Sequence, residues 1–379
     1  FNVFTNTMAG QIILNADAPV HEMFLGCNQF FGTINLADLP RGLCEFGCDT
    51  NAFSGSVALD DLPRTLKDIN LSTNMLDGSL SLEKLPPALT ILRLYKNRFS
   101  GSISLDALPE TLVMIDVHEN ALSGSLSLKK LPNTLKRLLL GKNSFSGSLF
   151  VEDLPQTLTE ADFRDNAMSG SVSLTGLPDA LEQISLIGNL FSGSTDVTRL
   201  PKALRVIQFS HTDFSGSLDV TQLPQPLEIF ECSESSFAGT ICLTKLPIAA
   251  KRLYFHANMF FGSLDLTKLP PHLEYLSLNE NEFSGSISLK HLPTSLTELY
   301  LHKNRFDGDL DLTALPDNLV ILWLNENAFQ GTFTVANVPT TLGRLKVKKN
   351  NKWKEIRVDG NSVVPDGNSD CPESMKRMQ

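Results

Sequence analysis

Three histidines, His118, His256 and His302, are separated by 138 and 46 residues, both whole multiples of 23. Imidazoles in register on one surface would suit metal binding or proton transfer. The nearest pair, however, lies two repeats apart, roughly 10 Å at the spacing of neighbouring strands. Ligands of one ion must each approach to about 2.1 Å, so a shared metal is not expected. Carboxylate pairs such as Glu160 and Asp162 occupy alternate, exposed positions, with no pocket implied. The chain contains no G-x-S-x-G, H-E-x-x-H, G-x-x-x-x-G-K or G-x-G-x-x-G, the motifs that carry nucleophilic, zinc or phosphate chemistry. No catalytic residue and no cofactor is expected. A glycan hydrolase is the residual catalytic alternative, and no carboxylate pair singles it out.

Aromatic side chains are the other candidates. All four tyrosines, Tyr95, Tyr254, Tyr275 and Tyr300, share one set of columns with Trp323. Tyrosine and tryptophan are enriched among the residues that dominate binding energy. They also favour strand surfaces for packing reasons alone. The candidate binding residues are Tyr254, Tyr275, Tyr300 and Trp323, with His256 and His302 beside them.

The elements that place these residues are set by a strict period. Fourteen Leu-Pro or Val-Pro steps run from Pro40 to Pro339 at intervals of 23, without insertion or deletion. A fixed period of this size means a solenoid, whose short unit buries its apolar face only by stacking on its neighbours. Each coil is numbered here from its Asn (N), as in Asn304. Leu296, Leu299, Leu301, Phe306, Gly308, Leu310, Leu312 and Leu315 then fall at N-8, N-5, N-3, N+2, N+4, N+6, N+8 and N+11. The apolar N-5 and N-3 positions alternate with polar ones, the two-residue period of a half-buried strand. Strands from identical coils must run parallel. After the Gly, residues such as Ser286-Ile287-Ser288-Leu289 alternate again, so a second short strand is expected there. Leu-Pro ends it, because Pro donates no hydrogen bond. Thirteen of the fifteen coils numbered 28 to 350 keep the Asn, Thr212 and Ser235 being the exceptions. A buried amide there can satisfy backbone groups of its own turn and of an adjacent coil. Eleven of the 23 Phe occupy N+2, a core spine rather than a ligand box.

The L-x-x-L-x-L-x-x-N-x-F core, as in Leu296 to Phe306, resembles the leucine-rich repeat family. The F-S-G-S-I-S-L of Phe283 to Leu289 is similar to the plant-type branch, and the recurrent Leu-Pro to protist surface proteins. The resemblance implies an open right-handed solenoid of about sixteen coils. Parallel β-structure would line the concave face, with second short strands elsewhere and very little helix. It also implies a protein-recognition module, secreted or displayed at a cell surface, that binds a protein, peptide or glycoprotein on that face. A scaffold subunit of a larger assembly, extracellular matrix included, is the alternative. In that case the irregular 195–250 segment and the basic last coil would carry the contacts, and an organellar or intracellular location would fit.

A net charge of -10 argues against general nucleic-acid binding, and no apolar run reaches the roughly 18 residues of a membrane span. Phe1, Val3, Asn6, Gly10, Ile12 and Leu14 already match a coil, so the sequence opens inside a repeat. One solenoid domain is expected over 1–358 and an irregular tail over 359–379. The basic residues Arg344, Lys346, Lys348, Lys349, Lys352, Lys354 and Arg357 read as a solvated capping coil. Cys48 and Cys232 replace core Leu or Val, whereas Cys27, Cys44 and Cys48 lie close enough for one disulfide. Cys242 and Cys371 complete the set. The serines and acids around Ser102, Ser125 and Asp265 read as a solvated flank, and the sequon Asn70-Leu71-Ser72 as a single match in the concave columns.

Overall fold

A computed structural model describes residues 1–358 and 361–363. It is a parallel-β solenoid of the expected coil, and helical structure among the described residues is confined to short 3-10 turns such as Leu36–Asp38 and Val220–Gln222. Two compact units are present, Phe1–Phe191 and a second that begins at Ser192. Within each unit coils contact only their neighbours, so contacts stay local.

Each coil begins at Leu-Pro, where the chain turns and Leu296 N–H donates to the Pro293 carbonyl at 3.0 Å. A three-residue strand follows, Glu298–Tyr300 in this coil. Its central Leu299 is fully buried while Glu298 and Tyr300 face outward, as the alternation requires. In the second unit, strands from Val206–Gln208 to Arg344–Lys346 pair in parallel at a constant offset of one repeat, with Tyr275 opposite Glu298 and Tyr300 opposite Trp323. The first unit repeats the arrangement from Glu22–Phe24 to Gln183–Ser185.

The chain leaves this strand through a residue in the left-handed region, Lys303 at φ 53° and Lys96 at φ 56°. The next residue is the column Asn. Asn304 Nδ2 donates to the carbonyls of Leu301 (3.2 Å), His302 (3.3 Å) and, one coil back, Leu278 (3.0 Å). Its Oδ1 accepts from Phe283 N–H at 3.0 Å. Asn97 makes the same four bonds in the first unit. Beneath the column the N+2 phenylalanines stack nearly parallel, Phe260 and Phe283 at 6.3 Å and Phe283 and Phe306 at 6.2 Å, and all three are fully buried.

The second strand is displaced from its expected place. In most coils it precedes the Gly and ends at or just beyond it, as in Glu282–Gly285, which pairs with Met259–Gly262. Gly285 has φ 79°, a conformation that turns the chain out of the extended region. The alternating residues after it bury their apolar members without a ladder. In the last described coils the pairing lies wholly beyond the Gly position, through Leu310–Asp311, Thr332–Val335 and Glu355–Val358. Asn361–Val363, within the segment expected to be irregular, pairs antiparallel with Glu355–Val358. Residues 359–360 and 364–379, Cys371 among them, lie outside the described residues.

The irregular 195–250 segment keeps the coil by substitution. Thr212 Oγ1 lies 3.2 Å from Ser235 Oγ, and Ser210 Oγ lies 2.9 Å from Ser233 Oγ, so small hydroxyls stand in for the long amide. Phe209 meets Phe214, Phe230 and Phe237 edge-on and fills the core. Cys48 and Cys232 are fully buried, as expected. The disulfide allowed by sequence proximity does not form, because Cys27, Cys44 and Cys48 are all free thiols. Replacing Asn304 with Ala should cost about 3 kcal/mol, since several buried backbone groups lose their partner at once. Asn304→Thr should cost about half of that, because Thr212 shows that a hydroxyl retains one such bond, to the Phe209 carbonyl at 2.8 Å. Urea unfolding of the two variants tests the ranking.

Candidate functional site

The outward positions N-6 and N-4 of the three-residue strands, with N-2 just after them, carry every candidate binding residue. In the second unit they come together. Tyr254 and Tyr275 have ring centroids 4.5 Å apart, Tyr275 and Tyr300 5.5 Å, and Tyr300 and Trp323 5.1 Å with an edge-to-face angle of 84°. The run changes column. Tyr254, Tyr300 and Trp323 stand at N-4, whereas the N-4 residue of the coil between the first two is Ser277, paired with both tyrosines and 2% exposed. The small serine leaves room, and Tyr275 reaches across from N-6 to close the gap.

These rings are not the freely exposed aromatics that the alternation suggests. Packing across the 23-residue step half-buries all four. His302, 5.1 Å from the Trp323 ring and 6.3 Å from that of Tyr300, is 8% exposed. Three neighbours outside the candidate binding set complete the surface. Lys346 Nζ sits 3.3 Å above the Trp323 ring, a cation–π contact. Glu298 Oε2 accepts from the Tyr300 hydroxyl at 2.6 Å. Asn325 follows Trp323 in the N-2 column. Their shared signal was position, since all three stand in the outward columns.

The hydrogen bonding of this face is incomplete. His256 Nδ1, His302 Nδ1, Trp323 Nε1 and Asn325 Oδ1 are buried and have no hydrogen-bond partner. A buried polar atom left unsatisfied costs about 1–3 kcal/mol. Burial pushes the His256 and His302 imidazoles down, against the opposing pull of Glu234 and Glu280 respectively. Burial also pushes the Tyr300 phenol up, and the bond to Glu298 adds to it. The two histidines do not share a ligand position, because Asn279 stands between them in the column. His256 lies 3.8 Å from Glu234, which in turn contacts His211 at 3.0 Å.

The first unit places its candidates in a different setting. Tyr95 stacks flat on His118 at 4.8 Å and 7°, and His118 Nδ1 contacts Asp116 Oδ1 at 2.6 Å. Ion pairs between adjacent coils surround them, Arg93 with Asp68 and Arg137 with Glu160. The sequon serine, Ser72, is fully buried and donates to Asn70 Oδ1. Among the described residues no helix is long and apolar enough to cross a membrane.

No family model matches the chain, and no curated protein matches it. Solved structures do. The plant peptide hormone receptor RGFR1 in complex with RGF2 superposes with a TM-score of 0.71 at 24% identity, covering 91% of this chain and 58% of that one. The ectodomain of the receptor kinase GASSHO1/SCHENGEN3 from Arabidopsis thaliana gives 0.65 at 23%, covering 92% and 47%. A TDR receptor gives 0.62 at 22%, covering 86% and 59%. The chain has the leucine-rich repeat fold. This leucine-rich repeat chain spans about half the length of the receptor chains it matches.

The depressed imidazoles make stability pH-dependent with a definite sign. Above about pH 6.5 both folded and unfolded chains hold these histidines neutral. Below it the unfolded chain takes up protons that the folded one resists, so stability falls as pH falls. Urea unfolding at about pH 7.5 and pH 5.5 should show a smaller loss for His302→Gln than for the unmodified chain.

Proposed function

We propose that this leucine-rich repeat chain is a non-enzymatic recognition module, acting outside the cell or at its surface, that binds a protein or peptide through Tyr254, Tyr275, Tyr300 and Trp323. His256 and His302 edge the site on the concave side of the coil. The observation that carries this reading is the coincidence of the aromatic run with four unpartnered buried polar atoms. Large rings supply apolar contact area at low entropic cost. The orphaned nitrogens and oxygen give a partner groups to satisfy after small side-chain rotations. The surface mixes Arg252, Lys346, Glu274 and Glu298 among the rings, a polar rim around an aromatic centre, which is the usual anatomy of an interface. The solved receptors with this fold, one of them in complex with RGF2, support the same reading.

Anchors of this kind are each worth about 2 kcal/mol or more. The double variant Tyr300→Ala, Trp323→Ala should therefore bind a captured native partner at least about 30-fold more weakly. Affinity capture from the native source with both forms tests it. Retention of every partner by the double variant would remove the aromatic face from the interface and favour the scaffold alternative.

A further inference from the structure

A recess of about 240 Å³ opens on the outward sheet face of the first unit, walled by Phe4 and Phe24, floored by Gly47 and edged by Glu45, Asp49 and Asp68. It exists because two outward positions that carry side chains in most coils hold glycine here. Neither Gly26 nor Gly47 has the positive φ that would demand glycine. A Cβ on Gly26 would lie 2.6 Å from Asp49 Oδ1 and 2.6 Å from the Phe4 ring, so only glycine lets these two close over it. A Cβ on Gly47 would come within 3.3 Å of the Phe24 ring and 3.8 Å of Asp49 Oδ1. Any longer side chain there would fill the space.

The charge inside is unbalanced. Arg93 is the cation of the recess, and it is engaged with both oxygens of Asp68 at 3.0 and 3.2 Å. Asp49 accepts a single weak side-chain bond, from the Thr50 hydroxyl at 3.4 Å. Among the described residues neither Asp49 nor Glu45 has a cation within ion-pair distance. Burial pushes the Asp49 carboxyl up, against the weaker opposing pull of its own backbone N–H, the Thr50 hydroxyl and the charge of Arg93, which lies beyond ion-pair distance.

We propose that this recess receives one arginine side chain of a partner protein, its guanidinium paired with Asp49 and Glu45 and flanked by the Phe4 and Phe24 rings. The volume decides the scale of the ligand. Pockets for whole small molecules run to about 300–1,000 Å³, and this one fits a single side chain. The walls decide which basic residue enters. A guanidinium is planar, weakly hydrated and stacks on aromatic faces, whereas a lysine ammonium is a compact, strongly hydrated point charge. Asn70 also lines the recess. Its Oδ1 is taken by Ser72, including the backbone N–H at 3.1 Å, which leaves the Nδ2 donor for a carbonyl of the partner's backbone. The proposal adds the partner's chemistry to the reading of the chain as a protein-recognition module, but it rests on different residues.

The test is a titration of the isotope-labelled full chain with the blocked peptide acetyl-Gly-Arg-Gly-amide, followed through the backbone amides of residues 47, 49 and 70. A saturable shift of these amides is expected. Binding should be at least about tenfold weaker for the citrulline counterpart, which keeps the shape and loses the charge, and for the lysine counterpart. Asp49→Asn, nearly isosteric, should weaken it by a similar factor, and Gly47→Leu should abolish it. If Gly47→Leu does not fold, Asp49→Asn carries the test. No saturable shift, or an unchanged affinity with citrulline or in Asp49→Asn, overturns the site. Equal affinity for the lysine peptide overturns the assignment to arginine. Because the probe is read at residues 47, 49 and 70, the outcome is independent of the capture experiment on Tyr300 and Trp323.

Discussion

The whole structure depends on how one primary amide is spent. A chain that leaves a strand through a left-handed residue strands several carbonyls on the inside of the turn, away from water. The column asparagine collects two from its own coil and one from the coil before it, while its oxygen takes an N–H of that earlier coil. Two of these bonds hold the turn and two hold the stack, and both pairs come from one side chain. The leucine columns and the phenylalanine spine supply the buried apolar area, but apolar packing alone would permit slippage along the axis. The amide fixes the step at one repeat, and with it the register of every outward side chain.

That fixed step is what lets the outward face act as a composed surface. Column positions recur about one strand spacing apart, so chemistry on this face is written by the choice of residue in each coil. In the second unit the choice is aromatic, and one small residue, Ser277, lets the run cross from one column to the next. In the first unit charges pair between adjacent coils, as Arg93 with Asp68 and Arg137 with Glu160. Glycine at 26 and 47 breaks that surface. The same backbone thus presents a run of half-buried aromatic rings in one unit and a charged recess in the other.

The repeating residues were legible in the sequence because each has a single physical job. Leu-Pro turns the chain, Asn caps the turn, Phe fills the core and Gly bends it. The second strand was misplaced for a local reason. The alternation after Gly285 reflects burial of Ile287 and Leu289, and burial without a ladder looks the same in sequence as a strand. The half-burial of the tyrosines was not legible, because it depends on which residue stands 23 positions away and how far a ring can lean. The recess was hidden for a similar reason. Asp49 reads as one more outward acid until Gly47 of its own coil and Gly26, Phe4 and Phe24 of preceding coils are placed around it.

The constant 23-residue offset has a consequence for how such a chain can change through time. Along the three-residue strands each pairing joins a residue to its equivalent one repeat on, so duplication or loss of a whole unit reproduces contacts already present and leaves both neighbours with familiar partners. Gain or loss of a single codon within a strand instead swaps its inner and outer faces and breaks the amide column on one side. Length is therefore nearly neutral in whole steps, whereas a fractional change must fall outside the strands, as in the 22-residue step from Asn6 to Asn28, where Asn28 Nδ2 still donates to the Val3 carbonyl. Unequal recombination between coils offers this gene a way to lengthen or shorten its display surface without relearning how to fold.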